Sequence, residues 1–374
     1  MFRSQSIFTC RGNMVKIIKS TEHFLLQIEP EKDDSALFLK QWIENNITLV
    51  KEKMISHGGI YFKGFNITSA LEFETISQAI APKLCDRHPF NCSNRTWHTK
   101  YTCEVASPFI KQSLVPKGMH NEDAYIGHVP KTIMFSPLEP SKYGGETLVT
   151  DCRKVYQDLP QKLKNKLHNK YMINNLVMHD DIFLVNNTIP KNFDAIKAIG
   201  AAHGSKNTSR ISENLTKFSF KIPAIIKHES TNEPIWFNLL HIAPIFSYNT
   251  YIDTWFAYKC KTGLLNNIKA ITIIMKTFFQ DLKFLIRNLF NSNTENKDFL
   301  CEVGDYYISD NTKISFGERV QINLAIWKNT SVLPLKKGDM IALDNLLTSH
   351  GRMPFKGRRV FLAAMGELTS PSSF

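Results

Sequence analysis

Short apolar runs separated by Pro, Gly and Asn fill the chain from about residue 117 onward, and they are the feature that most limits its fold. Each run is too short for an ordinary helix and is bounded by turn-forming residues, so each predicts a β-strand. Many short strands at close spacing are typical of a β-sandwich or β-barrel core. The runs cover residues 131–136, 147–151, 181–185, 216–226, 234–239, 318–326, 339–344 and 358–365.

Two helices are predicted before this β region. Residues 35–57 contain regularly spaced apolar residues and neither Gly nor Pro, which predicts a helix that ends at Gly58-Gly59. The aromatic and β-branched run 60–62 predicts a strand, and residues 69–80 predict a second helix capped by Ser69. The expected fold class is therefore mainly β with flanking helices.

A third helix is predicted as an insertion in the β region, near residues 255–295. Apolar residues recur there at alternating spacings of four and three, which places them on one face of a helix about 26 residues long. A helix packed on the sheet is the simplest interpretation, and a dimer seam or a lid over a site are the alternatives. The seam consists of Leu264, Ile268, Ile271, Met275, Phe278, Leu282, Leu285 and Leu289.

The composition is that of a globular protein with one large domain. The 374 residues are 43% hydrophobic and 21% charged, which excludes a disordered or fibrous chain. We expect a domain over residues 25–374, preceded by a basic extension, residues 1–24, that is either disordered or an organellar presequence. No apolar run reaches the ~18 residues that a membrane-spanning helix needs. We expect a soluble protein of the cytoplasm, or of an organelle if residues 1–20 act as a presequence.

The charge balance indicates which kinds of binding partner suit the chain, and the cysteine content indicates its redox compartment. The 46 Lys and Arg exceed the 34 Asp and Glu, so nucleic acid, an acidic membrane surface or an acidic small molecule would suit the chain. The basic residues are scattered and no basic run or zinc-finger pattern occurs, which favours a generally basic surface over a nucleic-acid site. The seven cysteines include no CxxC pair, which favours a reducing compartment.

The segment Met119-His120-Asn121-Glu122 places an imidazole and a carboxylate two positions apart. In a strand these two side chains would share a face, so both could bind one metal ion. The pattern alone is weak, because about one match is expected by chance and His179-Asp180-Asp181 is a second. A non-haem iron site needs another histidine, and His350 follows a buried-strand run at a suitable place.

Two segments resemble the iron-binding motifs of the clavaminate synthase-like, taurine dioxygenase-related Fe(II)/2-oxoglutarate oxygenases, especially their syringomycin-biosynthesis branch. Residues 119–125 (MHNEDAY) and 130–156 (PKTIMFSPLEPSKYGGETLVTDCRKVY) resemble the first motif, and residues 336–359 (KKGDMIALDNLLTSHGRMPFKGRR) resemble the distal-histidine motif. The resemblance extends from about residue 25 to the C-terminus. It implies a double-stranded β-helix, or jelly roll, with the iron between its sheets.

The resemblance also implies the roles of individual residues. His120, Glu122 and His350 match the three iron ligands. The presence of Glu122, where related halogenases carry a small residue, implies oxygenation and not halogenation. His179-Asp181 lacks the Gly-Gly-Glu-Thr turn that follows the first motif, and we interpret it as an ordinary polar pair.

The cosubstrate 2-oxoglutarate is expected to bind a hydroxyl and an arginine. Thr147 lies in the Gly144-Gly145-Glu146-Thr147 turn and matches the family's hydroxyl. Of the neighbouring pair Arg358 and Arg359 only one can point inside, because strand side chains alternate, and the family pattern favours Arg359.

The resemblance implies an enzyme that uses Fe(II), 2-oxoglutarate and O2 to abstract hydrogen from a C–H bond of a small substrate. An anionic, amino-acid-derived substrate is expected, with hydroxylation as the default outcome and oxidative cyclisation, as in kainoid synthases, as the other. Arg95, Arg352 and Asn238 are candidate substrate contacts. The alternatives are a non-catalytic, cupin-like metal-binding protein and a nucleic-acid-directed demethylase.

Overall fold

The computed structural model of the chain describes residues 15–86, 95–105, 110–180, 192–241, 248–260, 264–290 and 301–370. The strands are β1 (Val15–Lys19), β2 (Leu26–Pro30), β3 (Gly59–Phe62), β4 (Cys103–Glu104), β5 (Gln112–Ser113), β6 (Lys117–His120), β7 (Val129–Glu139), β8 (Tyr143–Gly144), β9 (Thr147–Asp151), β10 (Tyr171–His179), β11 (Ser205–Ser212), β12 (Leu215–Pro223), β13 (Ile226–Lys227), β14 (Pro234–Ile235), β15 (Cys301–Ile308), β16 (Thr330–Leu333), β17 (Met340–Asp344), β18 (Thr348–Arg352), β19 (Phe355–Lys356) and β20 (Val360–Thr369). The helices are α1 (Ala36–Asn45), α2 (Ile47–His57), α3 (Ala70–Ile80), α4 (Cys152–Asp158), α5 (Gln161–Leu167), α6 (Phe193–Ala202), α7 (Tyr248–Lys259), α8 (Leu264–Phe290) and α9 (Phe316–Lys328).

The largest sheet has the strand order β1-β2-β3-β17-β7-β20-β4. Its central strands are buried on both faces, which explains their nearly continuous apolar sequences. Side chains of one face, such as Met134 and Ala342, form a core with Leu39 and Phe73 of the helices α1 and α3. This helical layer covers one side of the sheet and leaves the other side for a second sheet.

The second sheet has the order β16-β9-β18-β6 and packs against the uncovered face of the first. Phe135 and Ile341 of the large sheet share a core with Val149 and Leu333 of the smaller one. Successive residues of β7 thus serve two cores, because Met134 and Phe135 point to opposite faces. The space between these two sheets holds the candidate site.

A third sheet, β11-β12-β10-β15, extends the molecule beyond the two facing sheets. Phe218 and Phe220 of β12 pack with Ile196 of α6 in a separate small core. The helices α4, α5, α7 and α9 share another core with β10 and β12.

Most of the predicted strands are confirmed, and one run is wrong. Residues 318–326 belong to helix α9, not to a strand. Ser315 accepts a hydrogen bond from the backbone N–H of Glu318, whose carboxylate in turn accepts one from the N–H of Ser315. This capping box is a helix-start signal that the apolar, β-branched composition of the run obscured.

Other boundaries differ in smaller ways. The run 234–239 is a strand only at Pro234–Ile235, and the helix predicted over 35–57 is interrupted at Asn46. The run 181–185 lies outside the described residues. Residues 15–19 form β1 in the large sheet, so the folded unit begins before residue 25, and the rest of the predicted extension, residues 1–14, is outside the described part.

The predicted helical insertion is confirmed as α7 and α8, but α8 does not lie flat on a sheet. It packs along α7, where Tyr251 donates a hydrogen bond to Asp281 and Ala270 is fully buried. Much of the described part of the apolar seam is accessible to solvent, with Leu264 75% and Met275 47% exposed. Self-association through this helix therefore stays a prediction. Within the described residues, no helix combines the length and apolar character needed to span a membrane.

Asp253 is a buried acid beneath the candidate site. Helix α7 places it against β6, where its Oδ2 lies 2.6 Å from the point that a Cβ on Gly118 would occupy. Its Oδ1 accepts a hydrogen bond of 2.6 Å from Trp327 Nε1–H. Burial raises the pKa of Asp253 to about 7, although the Trp327 hydrogen bond acts in the opposite direction.

We predict that Asp253→Asn stabilises the protein at pH 8 and has little effect at pH 4. A carboxyl whose pKa is raised on folding stabilises the fold at low pH, and that contribution is lost between pH 4 and pH 7. The uncharged amide removes this loss, which is on the order of 3 kcal/mol. Denaturant unfolding of both proteins at the two pH values measures the difference in their free energies of unfolding. Equal stability at pH 8 would contradict the raised pKa of Asp253.

Candidate active site

Three neighbouring strands of the small sheet bring the predicted metal ligands together. In the register of these strands, His350 of β18 is the partner of His120 of β6 and of Val149 of β9. The rings of His120 and His350 lie with centroids 4.5 Å apart. Both histidines therefore enter the space between the two sheets from adjacent strands.

Glu122 reaches the same place from a turn. The strand β6 ends at His120, so the expectation that both side chains share a strand face is wrong. Asp123, which follows Glu122, has a φ of 58°, a left-handed conformation that aspartate tolerates better than most residues. This turn directs the Glu122 carboxylate back toward the two histidines.

Asn345 holds this turn in place. Its side chain accepts a hydrogen bond of 2.8 Å from the Glu122 N–H and donates one of 3.0 Å to the Glu122 carbonyl. The same amide group donates to the Pro130 carbonyl, and the Asn345 carbonyl accepts a bond from the Asn121 side chain. Asn345 is fully buried, so both sides of the Glu122 peptide are fixed by one residue.

The three candidate ligands converge to a cluster. One ligand atom each of His120, Glu122 and His350 can be chosen so that all lie within 4.8 Å of one another. Glu122 Oε2 is 3.6 Å from His350 Nε2, and Glu122 Oε1 accepts a hydrogen bond of 2.6 Å from Arg95 Nη2. One carboxylate oxygen thus faces the histidines while Arg95 holds the other.

The protonation states suit metal binding. The Gly118 carbonyl can only accept, so His120 Nδ1–H donates to it at 2.9 Å, and Nε2 is left for the cavity. Burial, followed by the charges of Lys117 and His350, holds the pKa of His120 well below its usual range. Burial also lowers the pKa of His350. Both rings are therefore neutral and can offer a lone pair.

Glu122 is ionised despite its burial. Burial acts to raise its pKa, but Arg95 and the hydrogen bond with His350 hold that pKa well below its usual range. Two neutral imidazoles and one carboxylate on one side of a cavity form the donor set of a non-haem Fe(II) site with open positions. The residues present therefore fit the metal that the sequence implies.

A second shell supports the strand that carries His120. The buried His241 donates from Nε2 to the Met119 carbonyl at 3.0 Å. Burial lowers the pKa of His241 to about 4, so this ring too is neutral. This contact with the strand backbone makes His241 a supporting residue and not a candidate ligand.

The cavity between the sheets encloses about 490 Å³ of empty space, part of it open to solvent. Phe135 forms an apolar wall beside His350, with ring centroids 4.9 Å apart. The lining residues are Arg95, Val105, Lys117, His120, Glu122, Phe135, Thr147, His350, Gly351, Arg352, Arg359 and Phe361.

The Gly-Gly-Glu-Thr turn delivers Thr147 to this cavity. Gly144 and Gly145 both have positive φ, and a Cβ on Gly144 would collide with the Pro354 carbonyl. The Gly145 N–H donates to the same carbonyl at 3.0 Å. The turn is thereby fastened to the segment that follows His350, and Thr147 is buried at the start of β9.

The two neighbouring arginines have different surroundings. Arg359 is buried and lines the cavity, stacked over the rings of Phe355 and Phe361. Arg358 is exposed and forms an ion pair with Glu139. Burial, and then the charge of Arg352, lowers the pKa of Arg359 to about 9, so it remains a cation at neutral pH. Of the two arginines only Arg359 can meet a ligand in the cavity.

The structure places only some of the candidate substrate contacts in the cavity. Arg352 lines the cavity, and so does Arg95, although Arg95 is engaged by Glu122. Asn238 does not line it: its side chain donates to the Ala224 carbonyl and accepts from the Leu240 N–H. Asn238 is a structural residue, and its assignment as a substrate contact is wrong.

The second His-acid motif lies apart from the cluster. His179 ends β10 in the third sheet, and the adjacent Asp180 pairs with Arg210 and Thr216. Asp181 is outside the described residues. His128 contacts the Ala202 carbonyl and is likewise not a lining residue.

Two residues of the site were missed from the sequence. Lys117 lines the cavity three positions before His120, and only its place in the same strand could have indicated it. Asn345 could have been found from the turn-forming pair Asp344-Asn345 after a buried strand, but its partner lies 223 positions away.

We predict that Asn345→Ala weakens metal binding and lowers stability. The change leaves the buried N–H and C=O of Glu122 without partners, and each such loss costs about 1 to 3 kcal/mol. Mn(II) titration calorimetry and thermal unfolding measure the two effects. Asn207→Ala, at an exposed position of β11, is the matched control. If Asn345→Ala behaved like this control, Asn345 would not be needed to hold the Glu122 turn.

Comparison with known proteins agrees with this geometry. A model of the family described as "Taurine catabolism dioxygenase TauD, TfdA family" matches residues 22–315. The chain is also 22% identical over 334 residues to the dapdiamide synthesis protein DdaC of Enterobacter agglomerans, which covers 87% of this chain and 86% of that protein.

A solved structure shares the fold of this chain. The crystal structure of AAD-2 in complex with Mn(II) and N-oxalylglycine aligns with a TM-score of 0.51 at 12% identity, covering 96% of this chain and 99% of that one. PvcB from Pseudomonas aeruginosa aligns with a TM-score of 0.49 at 11% identity, covering 96% and 93%.

The family match includes His120 and Glu122 and ends before His350, which the strand register adds to the cluster. It spans well over half of the chain. The chain therefore belongs to the TauD/TfdA family and is an Fe(II)/2-oxoglutarate-dependent dioxygenase.

Proposed function

We propose that His120, Glu122 and His350 bind the Fe(II) and that Thr147 and Arg359 hold the distal carboxylate of 2-oxoglutarate. The observation that carries this proposal is the convergence of two neutral histidines and one ionised carboxylate in a single cavity. The fold we propose is the jelly roll, with the two facing sheets as its halves.

With 2-oxoglutarate and O2, a bound Fe(II) would supply the oxidant that removes a hydrogen atom from the substrate, while 2-oxoglutarate is converted to succinate and CO2. The protein's own residues prepare this reaction. Arg95 keeps one oxygen of Glu122 away from the metal, which leaves a single oxygen for coordination. Arg359 and Thr147 orient the cosubstrate through a charge-assisted hydrogen bond and a hydroxyl contact. Phe135 and Phe361 line the cavity and exclude water.

The substrate we propose is a small, amino-acid-derived anion of specialised metabolism, which the enzyme hydroxylates or cyclises oxidatively. The name of its relative DdaC, a dapdiamide synthesis protein, supports a biosynthetic role. The positively charged residues of the cavity support an anion. Oxidative cyclisation of the kainoid synthase type begins with the same hydrogen abstraction and belongs to the same proposal.

Two other functions would use the same cavity differently. A metal-binding protein without turnover would not need a buried arginine beside Thr147, and it would form no succinate. A nucleic-acid demethylase would need access for a flipped base and would show salt-dependent binding to DNA or RNA. The cavity arginine favours the oxygenase over the first alternative, and the scattered basic surface favours it over the second.

We predict that His120→Ala, Glu122→Ala and His350→Ala each abolish Fe(II) binding and succinate formation. Each change removes one of three protein ligands, and the two that remain do not hold the metal in the cavity. Titration calorimetry under anaerobic conditions measures binding, and succinate release from 2-oxoglutarate measures turnover.

His179→Ala is the matched control, because it removes a histidine from the other His-acid motif. It should leave both measurements unchanged, and an equal loss in this variant would mean that the wrong pair was chosen. A mass-spectrometric screen of a small-molecule extract then identifies the substrate by a product that has gained one oxygen atom or lost two hydrogen atoms.

We predict that Arg359→Ala weakens 2-oxoglutarate binding far more than Arg358→Ala. Loss of a buried charged partner costs on the order of 2 to 5 kcal/mol, whereas loss of an exposed ion pair costs less than ~1 kcal/mol. The dissociation constant of 2-oxoglutarate, measured with the Mn(II)-loaded protein, distinguishes the two variants. The reverse ranking would move the cosubstrate site to Arg358.

A further inference from the structure

Lys117 and Arg352 are directly opposed on neighbouring strands. Beyond the pair of His120 and His350, the register of β6 and β18 shifts by one residue at an irregularity, and this shift makes Lys117 the partner of Arg352. Arg352 is also the partner of Thr147 on β9. Like charges at directly opposed positions destabilise a sheet, so this arrangement needs a compensating interaction.

Glu122 partly compensates the charge of Lys117, but no acid of the described part of the chain forms an ion pair with either cation. Neither Lys117 nor Arg352 forms an ion pair or a hydrogen bond with another described residue, and Arg352 Nε is buried without a partner. Arg352 stacks on Phe355, which supports its guanidinium but does not neutralise it. The half-buried Arg352 guanidinium and the exposed Lys117 ammonium are therefore both available to an anionic ligand.

Both groups can be reached from the cavity. Lys117 is exposed and also lines the cavity, and Arg352 is half-buried beside it. Burial lowers the pKa of Lys117, the charge of Glu122 acts to raise it, and the charges of Arg95, Arg352 and Arg359 lower it. An anion beside Lys117 would relieve this repulsion.

Charge balance indicates how much negative charge is needed. Glu122 already neutralises Arg95, and a bound Fe(II) balances the two carboxylates of 2-oxoglutarate. With Arg359, which the distal carboxylate would meet, and with Lys117 and Arg352, the cavity would then carry three net positive charges. A substrate with one negative charge would leave two of them uncompensated.

We propose that the substrate is a dianion and that one of its oxyanion groups binds between Lys117 and Arg352, beside the metal cluster. This inference rests on the proposed function and adds a specificity-determining residue, Lys117, to it. Dicarboxylates and phosphates share the required chemistry. The opposed cations explain why the site would select such molecules over monoanions.

The test is titration calorimetry on the Mn(II)-loaded protein saturated with N-oxalylglycine, which fills the cosubstrate site. The probes are glutarate, inorganic phosphate at pH 8 and the monoanion glutaramate. We expect glutarate or phosphate to bind at least about tenfold more tightly than glutaramate, and the better of the two identifies the oxyanion. Lys117→Gln and Arg352→Gln should each weaken this binding at least about tenfold.

Two variants control for charge and folding. Lys117→Arg keeps the charge and should retain dianion binding, whereas Arg358→Gln removes an exposed arginine and should change nothing. Equal affinity for dianions and glutaramate, no dianion binding, or unchanged binding in Lys117→Gln would each overturn the proposal. Succinate release by the unaltered iron enzyme is measured separately. Its absence alongside intact dianion binding would reject the oxygenase assignment but keep the anion site.

Discussion

Antiparallel hydrogen bonding between β6 and β18 sets which side chains meet in the cavity. It makes His120 the partner of His350 and, beyond a one-residue shift, Lys117 the partner of Arg352, so two of the proposed metal ligands and two cations form two rows. A shift of one residue in this register would turn each row to the opposite face of the sheet. The core shared with the large sheet, through Val149 and Phe135, holds the strands in the one register that buries their apolar side chains.

Much of the site could be predicted from local sequence. The resemblance to the family motifs selects His120, Glu122 and His350, and the family pattern favours Arg359 over Arg358, in agreement with the burial of Arg359. Local patterns succeed here because a strand's alternation and a glycine turn depend on near neighbours alone. The strands β7, β9, β17 and β20 followed from the same signals.

The remaining features depend on distant partners. Nothing near Arg95 indicates that it pairs with Glu122, and nothing near Asn345 indicates the peptide that it holds. Lys117 became notable only when the register placed it opposite Arg352. Helix α9 was missed for a different reason. Its β-branched residues favour a strand when only composition is considered, and the capping box at Ser315 was given too little weight.

The bond between Glu122 and Asn345 joins residues that are 223 positions apart, and this separation affects how the site forms. Closing a loop of this length costs conformational entropy, although this cost grows slowly with loop length. Before β18 pairs with β6, a folding chain brings together only His120 and Glu122 of the three proposed ligands. The proposed metal site is therefore complete only in a chain in which these two distant strands are paired.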